Sequence, residues 1–373
     1  MDFIVGTFRS PLLFTLRFTP PSNLEVIRSS PACGGHSWMS LSLNRRFLYC
    51  TVWSSTPAVA AYEIRSDGTI RLINTKNVRA LSGYVAWTSK YLYSVGGPTG
   101  EIFSLQPNGG LENVVQELSF RQAEELLDGS RDVAHGNFGG LRHGSHSVDL
   151  APDGRSLYVA DIGHNCIWTF SVNHTDQEEV LQLRNKHISP RKGDGPRHTW
   201  PHPNGRILYC LQEHSCMVDV FSIAASGTSL QHLQGTKIIP PDKDPANYWA
   251  DEVRLSRSRS SQQSPKYLYA STRGLHEDTM GYVAVFEIAA DGMIVGQSLD
   301  IFQTATSGGL ANAIEPAPTE LLPDSPEYLA LTDSQEGRVS ILSFNGRAIS
   351  EVANVQLKTD DGEIATAATA VWL

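Results

Sequence analysis

Positive charge is in short supply in this chain. Thirty Lys and Arg against 39 Asp and Glu give a formal charge of −9. That excludes a nucleic-acid binder, which must concentrate cations to displace counterions. A small-molecule substrate is the expected partner. There is no apolar run long enough for a membrane helix, so no membrane partner is expected. The N-terminal MDFIVGTFRSPLLFTLRF has no basic leader before an apolar stretch and reads as two alternating strands. Cysteine is scarce: Cys33, Cys50, Cys166, Cys210 and Cys216 are odd in number, irregularly spaced and without a CxxC pair. Neither a disulfide framework nor a zinc site is expected from them, and buried free thiols in a reducing, cytoplasmic compartment are. The one N-x-S/T sequon, at Asn173, would matter only if a signal peptide had been removed. No glycine-rich loop sits between a strand and a helix, so no phosphate-bearing cofactor is expected. Helical patterning is nearly absent, residues 120–127 in SFRQAEELLDG being the one clear stretch.

What is present is a repeat. Six segments carry a turn followed by an apolar-Leu-Tyr-like strand: RRFLYCTV, SKYLYSVG, GRSLYVAD, GRILYCLQ, PKYLYAST and PEYLALTD. Each is followed by a second alternating strand, a tight turn and a third strand. Asp67-Gly68, Asn108-Gly109, Asp291-Gly292 and Asn345-Gly346 supply turn residues that tolerate positive φ. A seventh copy, PLLFTLRFTPPSNLEVI, lies behind Phe3-Ile4-Val5 and lacks a first strand, for which TAATAVWL at residues 366–373 is the candidate. The 373 residues would otherwise suggest two or three domains. The repeat instead predicts one all-β domain over residues 1–373: a seven-bladed β-propeller whose last blade is closed by the N- and C-terminal strands, leaving no open sheet edge. Residues 116–145 form an extended segment expected over the top face. A homo-oligomer stays open.

In an antiparallel blade the start of the inner strand and the end of the second strand share a rim. Inner-strand starts then offer His36, His146, Arg197, His198, Asp251 and Asn312. Second-strand ends offer Asp161, Glu213, His214, Arg273 and Asp333. Each has a structural alternative. His146 could be a satisfied core histidine, Glu213 could pair with Arg197, and Asp161 and Asp333 could close turns. Two arginines, a carboxylate and an imidazole on neighbouring blades would nonetheless make a funnel able to hold a carboxylate and move a proton. No metal site is expected: His198 and His202, four apart on a strand, would be separated by ~13 Å.

Across most of its length the chain resembles fungal carboxy-cis,cis-muconate cyclase and, more distantly, the seven-bladed bacterial lactonases. VGTF, HSWM, HSVDLAPDGRSLYVAD, GDGPRHTWPHPNGRILYCLQE, IIPPDKDP, YLYASTRG, TSGGLANAI and LTDSQEG carry the likeness. The resemblance implies a seven-bladed propeller and a cofactor-free intramolecular cyclisation, in which a carboxylate adds to a conjugated double bond and carbon is protonated. The family's His, two Arg and Glu fall on His146, Arg197, Glu213 and Arg273. Arg197 and Arg273 would hold carboxylates and developing enolate-like charge, with His146 and Glu213 as candidate acid and base. The family's HG is His146-Ser147 here, and the 116–145 segment is extended, which suggests a changed substrate. A natural-product cyclase, even one closing a ring by a Diels-Alder or hetero-Diels-Alder step, is therefore the alternative. A lactonase or a protein-binding scaffold comes after it.

Overall fold

The computed structural model describes residues 1–120, 144–173, 180–257, 264–318 and 326–373. Among these, seven four-stranded antiparallel sheets follow one another around a central channel. Blade 1 combines β28 (Ala367–Trp372) with β1 (Asp2–Thr7), β2 (Leu12–Thr19) and β3 (Asn23–Pro31). Blade 2 runs from β4 (Met39–Leu41) and β5 (Phe47–Val52) to β7 (Ile70–Asn77), and blade 3 from β8 (Tyr84–Trp87) to β11 (Leu111–Ser119). Blade 4 opens with β12 (Ser145–Leu150) and β13 (Ser156–Asp161), and blade 5 with β16 (Pro196–Pro201) and β17 (Ile207–Gln212). Blade 6 opens with β20 (Tyr248–Leu255) and β21 (Tyr267–Gly274), and blade 7 with β24 (Ile314–Pro316) and β25 (Glu327–Asp333).

The Leu-Tyr repeat is explained by its two faces. On a strand, adjacent side chains point to opposite sides of the sheet, so the Leu packs against one neighbouring blade and the Tyr against the other. The six repeat leucines, Leu48, Leu92, Leu157, Leu208, Leu268 and Leu329, are all fully buried. The tyrosines also reach across: Tyr158 donates to Gly227 O at 2.9 Å and Tyr209 to Gly292 O at 2.6 Å, each on a hairpin turn of the following blade. Burial of the ring supplies the energy, and the hydroxyl fixes the angular register between blades.

The ring closes where the sequence pattern placed it. β28 pairs with β1 in the register Phe3↔Trp372, Ile4↔Val371 and Val5↔Ala370. Trp372 packs on Phe3 with ring centroids 4.5 Å apart, and its Nε1 donates to Glu315 O in blade 7 at 3.0 Å. Among the described residues no disulfide joins the five cysteines, and four of them are buried.

The extended segment needs redrawing at its ends. Gln116 still lies in β11 and Ser145 opens β12, while residues 121–143, with nearly all of the expected helix at 120–127, lie outside the described residues. Phe120 itself is buried beside Trp168 and Phe170. The flanks of the segment meet at one point of the rim: Phe120 N donates to Pro98 O, and Ser145 and Gly97 exchange backbone hydrogen bonds.

Candidate active site

Three inner strands carry an irregularity at the same height. In β12 the pairs Ser145↔Asp161 and Ser147↔Ala160 leave His146 as an extra residue. In β16, Pro196↔Gln212 and His198↔Leu211 leave Arg197 extra. In β20, Ala250↔Thr272 and Glu252↔Ser271 leave Asp251 extra. A bulge of this kind interrupts alternation and re-aims a side chain. Arg197 and His198 therefore both face the channel, as do Asp251 and Glu252. Glu213 follows β17, where its N–H donates to Gly195 O at 2.7 Å. Gly195 is itself required: its φ is +71°, and a Cβ there would come within 2.6 Å of the His214 ring. Arg273 sits near the end of β21 opposite Trp249, with its guanidinium 4.7 Å from that indole's centroid.

The structure brings His146, Arg197, Glu213 and Arg273 to one cavity of about 40 Å³ at the upper mouth. Arg197 is the hub. Its Nη1 donates to His146 Nε2 at 3.1 Å and lies 3.4 Å from His198 Nε2. Its Nη2 donates to Asp251 Oδ1 at 2.8 Å, and its Nε lies 3.5 Å from Glu213 Oε1. Arg273 holds Gly309 O at 2.9 Å and stands 4.0 Å from Glu213 Oε1 and 3.9 Å from Asp251 Oδ1.

Proton positions follow from donor inventories. Guanidinium has donors only, so His146 Nε2 must present a lone pair. The proton of the neutral ring is then on Nδ1, which has no hydrogen-bond partner among the described residues. Burial holds His146 well below the ordinary histidine range, helped by Arg197, His198 and Arg273. His198 donates from Nδ1 to Glu252 at 2.8 Å, leaving its Nε2 bare toward Arg197. Burial also pushes the Glu213 carboxyl up to about 7, against the opposing pull of Arg197 and Arg273. Its Oε2 has no hydrogen-bond partner among the described residues. Asp251 is raised by burial too, yet it is tied down by Arg197 and by the backbone N–H of Asn312 at 2.9 Å.

The other sequence candidates separate. Asp251 and His198 line the cavity. Asn312 does not; it braces Asp251 and donates from Nδ2 to Thr272 O at 3.1 Å. His214 packs on Trp249, with its Nε2 3.8 Å from Glu213 Oε2. His36 is a buried structural histidine bonded to Thr51 O and the Tyr62 hydroxyl. Asp161 closes a turn by accepting from the His164 backbone and ring and from Trp168 Nε1. Asp333 does the same for the Gln335 and Glu336 amides and Thr306. Sequence reasoning missed Glu252, and it missed the opposite wall, made by Phe8, Trp53, Leu310, Ala311, Ala313 and Ala368. For Glu252 the signal was its position beside a bulged Asp; the wall offered none, because it is assembled from blades 7, 1 and 2.

A larger cavity of about 660 Å³ opens at the other mouth, at the far ends of the same inner strands, and contains none of the four. A layer of Trp38 stacked on Tyr84 at 3.8 Å, with Arg254 paired to Glu252 and Glu315, divides the two.

Residues 3–300 match the family described as lactonase, 7-bladed beta-propeller. Muconate cycloisomerase 1 of Cutaneotrichosporon cutaneum is 42% identical over 100% of this chain and 98% of its own length. Carboxy-cis,cis-muconate cyclase of Neurospora crassa is 26% identical over 95% of both chains. Among solved structures, the periplasmic gluconolactonase of Pseudomonas aeruginosa superposes with a TM-score of 0.78 at 16% identity, covering 99% of this chain and 98% of that one. A Lactobacillus plantarum protein gives 0.73 at 20%, covering both chains in full. At those identities the structures speak to the fold alone. The chain thus belongs to the seven-bladed β-propeller lactonase family and, by its near full-length likeness to a muconate cycloisomerase and a carboxy-cis,cis-muconate cyclase, is an enzyme of the intramolecular cyclising type.

Proposed function

We propose that the chain lactonises a cis,cis-muconate-type diacid without a cofactor. The observation that carries this reading is the placement of a carboxyl with a pKa near 7, Glu213, between two guanidiniums in a small buried cavity. In the reaction, an oxygen of one substrate carboxylate forms a C–O bond to the alkene carbon conjugated with the other carboxylate. The π electrons move toward that second carboxylate as enolate-like density, and the carbon beside it then takes a proton. One C–O and one C–H bond form, one C=C bond is consumed and one proton is taken up. The nucleophile is already ionised, so the step requires an acid and charge stabilisation rather than a base.

The residues divide accordingly. Arg197 and Arg273 hold the carboxylates and the developing enolate charge. Glu213, half protonated near neutral pH, delivers the proton to carbon. His146, a neutral donor at Nδ1, adds a hydrogen bond to the accumulating charge. Asp251 fixes the Arg197 fork.

The test is conversion of cis,cis-muconate by protein dialysed against a chelator, followed by loss of diene absorbance and by proton NMR of the product. A γ-lactone formed at an undiminished rate after dialysis is expected. Folded protein that leaves the diacid unchanged would overturn the proposal.

A further inference from the structure

The cavity has two unlike walls. Blades 4 to 6 supply the polar one. Its cations among the described residues are Arg197 and Arg273, and Asp251 offsets one of them through its 2.8 Å contact with Arg197. The facing wall is largely hydrocarbon and carries no charged side chain: Phe8 and Trp53 meet with ring centroids 5.3 Å apart, Leu310, Ala311, Ala313 and Ala368 extend it, and its polar side chains are the hydroxyls of Ser37 and Thr369. Phe8, Ala311 and Ala368 form one buried apolar cluster with Trp53 and Leu310 packed against it.

We infer that the enzyme selects a muconate whose substituent is uncharged and apolar, such as a methyl group, and discriminates against one bearing a third carboxylate. The inference rests on the diacid reading above and assigns the specificity of the same site. A diacid anchored through two carboxylates on Arg197 and Arg273 turns its remaining edge toward Phe8, Trp53 and Leu310. A methyl group there leaves water for hydrocarbon, which is worth about three- to fourfold in binding. A third carboxylate there would be stripped of water against hydrocarbon without a counter-ion, and an ionised group in that setting is disfavoured far more strongly. The charge balance runs the same way, since the two guanidiniums, offset by Asp251 and sharing the cavity with Glu213 and Glu252, are already short of a dianion's charge and a third carboxylate would widen the shortfall.

Two measurements separate this inference from the reaction itself. In the first, kcat/KM is compared for cis,cis-muconate and its 3-methyl and 3-carboxy derivatives. The methyl compound should match or exceed the parent by up to about fourfold, with the carboxy compound at least about 100-fold below. In the second, calorimetry measures binding of the unreactive saturated analogues 3-methyladipate and butane-1,2,4-tricarboxylate. The first should bind at least about tenfold more tightly, whether or not any diene is turned over. Leu310→Lys should narrow both gaps by placing a cation on the hydrocarbon wall. Equal or better turnover of the carboxy compound, or equal or tighter binding of the tricarboxylate, would overturn the inference. Failure to turn over any diene, with the binding order as expected, would count against the reaction and leave the specificity standing.

Discussion

In blade 1 the inner strand β28 is bulged at the rim, since Thr7↔Ala367 and Val5↔Ala370 leave Ala368 and Thr369 opposite the single Gly6. Blades 4, 5 and 6 carry the same irregularity at His146, Arg197 and Asp251. One backbone device thus feeds both walls of the cavity. Blade 1 presents a methyl and a hydroxyl; blades 4 to 6 present an imidazole, a guanidinium and a carboxylate. The comparison teaches that the scaffold supplies position and the residue at the bulge supplies chemistry. Gly6 shows how tight the arrangement is, because a Cβ there would lie 2.4 Å from His36 O.

The sharpest way to break the comparison is to remove the bulged strand of blade 1 entirely. Deleting residues 366–373 should open the ring between blades 1 and 7 and yield insoluble or protease-sensitive protein, because an edge is exposed and Trp372 leaves Phe3. An unchanged melting temperature would show that closure does not depend on β28.

Next in size are changes to a charged bulge residue. Arg197→Ala removes a charge-assisted contact and should lower kcat/KM by about 10²- to 10³-fold. It also strands Asp251, buried and 2.8 Å away, so stability should fall by about 3–5 kcal/mol. Arg197→Lys separates the two effects: the charge is kept and the planar fork is lost. Its denaturation midpoint should lie nearer to wild type while activity stays at least about tenfold down. Activity equal to wild type in both variants would remove Arg197 from the site.

The smallest expected effect lies far from the mouth. Tyr209→Phe loses the hydroxyl bond to Gly292 O and should cost about 1 kcal/mol of stability with kcat unchanged. A change in kcat there would mean that inter-blade register, as well as the bulge residue, sets the chemistry.

Much of the fold could be read from the chain because propeller blades repeat. The Leu-Tyr strands, the Asp-Gly and Asn-Gly turns and the missing first strand together determine blade number and closure. The site was legible only in part. His146, Arg197, Glu213 and Arg273 stood at strand ends that share a rim. Asp161, Asp333 and His36 stood at equivalent ends, and nothing in residue type separates a carboxylate that caps turn amides from one that faces a channel. Glu252 escaped because strict alternation assigns Asp251 and Glu252 to opposite faces, whereas a bulge puts both on one. The hydrocarbon wall escaped because Phe8, Trp53 and Leu310 reach the cavity from loops whose composition looks like any packed turn.

The central claim is that Glu213 is the acid that protonates carbon, and the pH profile of kcat tests it most directly. The folded carboxyl is raised from about 4.5 to about 7, so it is protonated well below 7 and loses its proton as pH rises through 7. Turnover should therefore be level on the acid side and fall about tenfold per pH unit above 7. Glu213→Gln should lower kcat by about 10²- to 10⁴-fold and abolish that limb. A profile that rises with pH through 7, or a Glu213→Gln variant that keeps both the rate and the alkaline fall, would contradict the account.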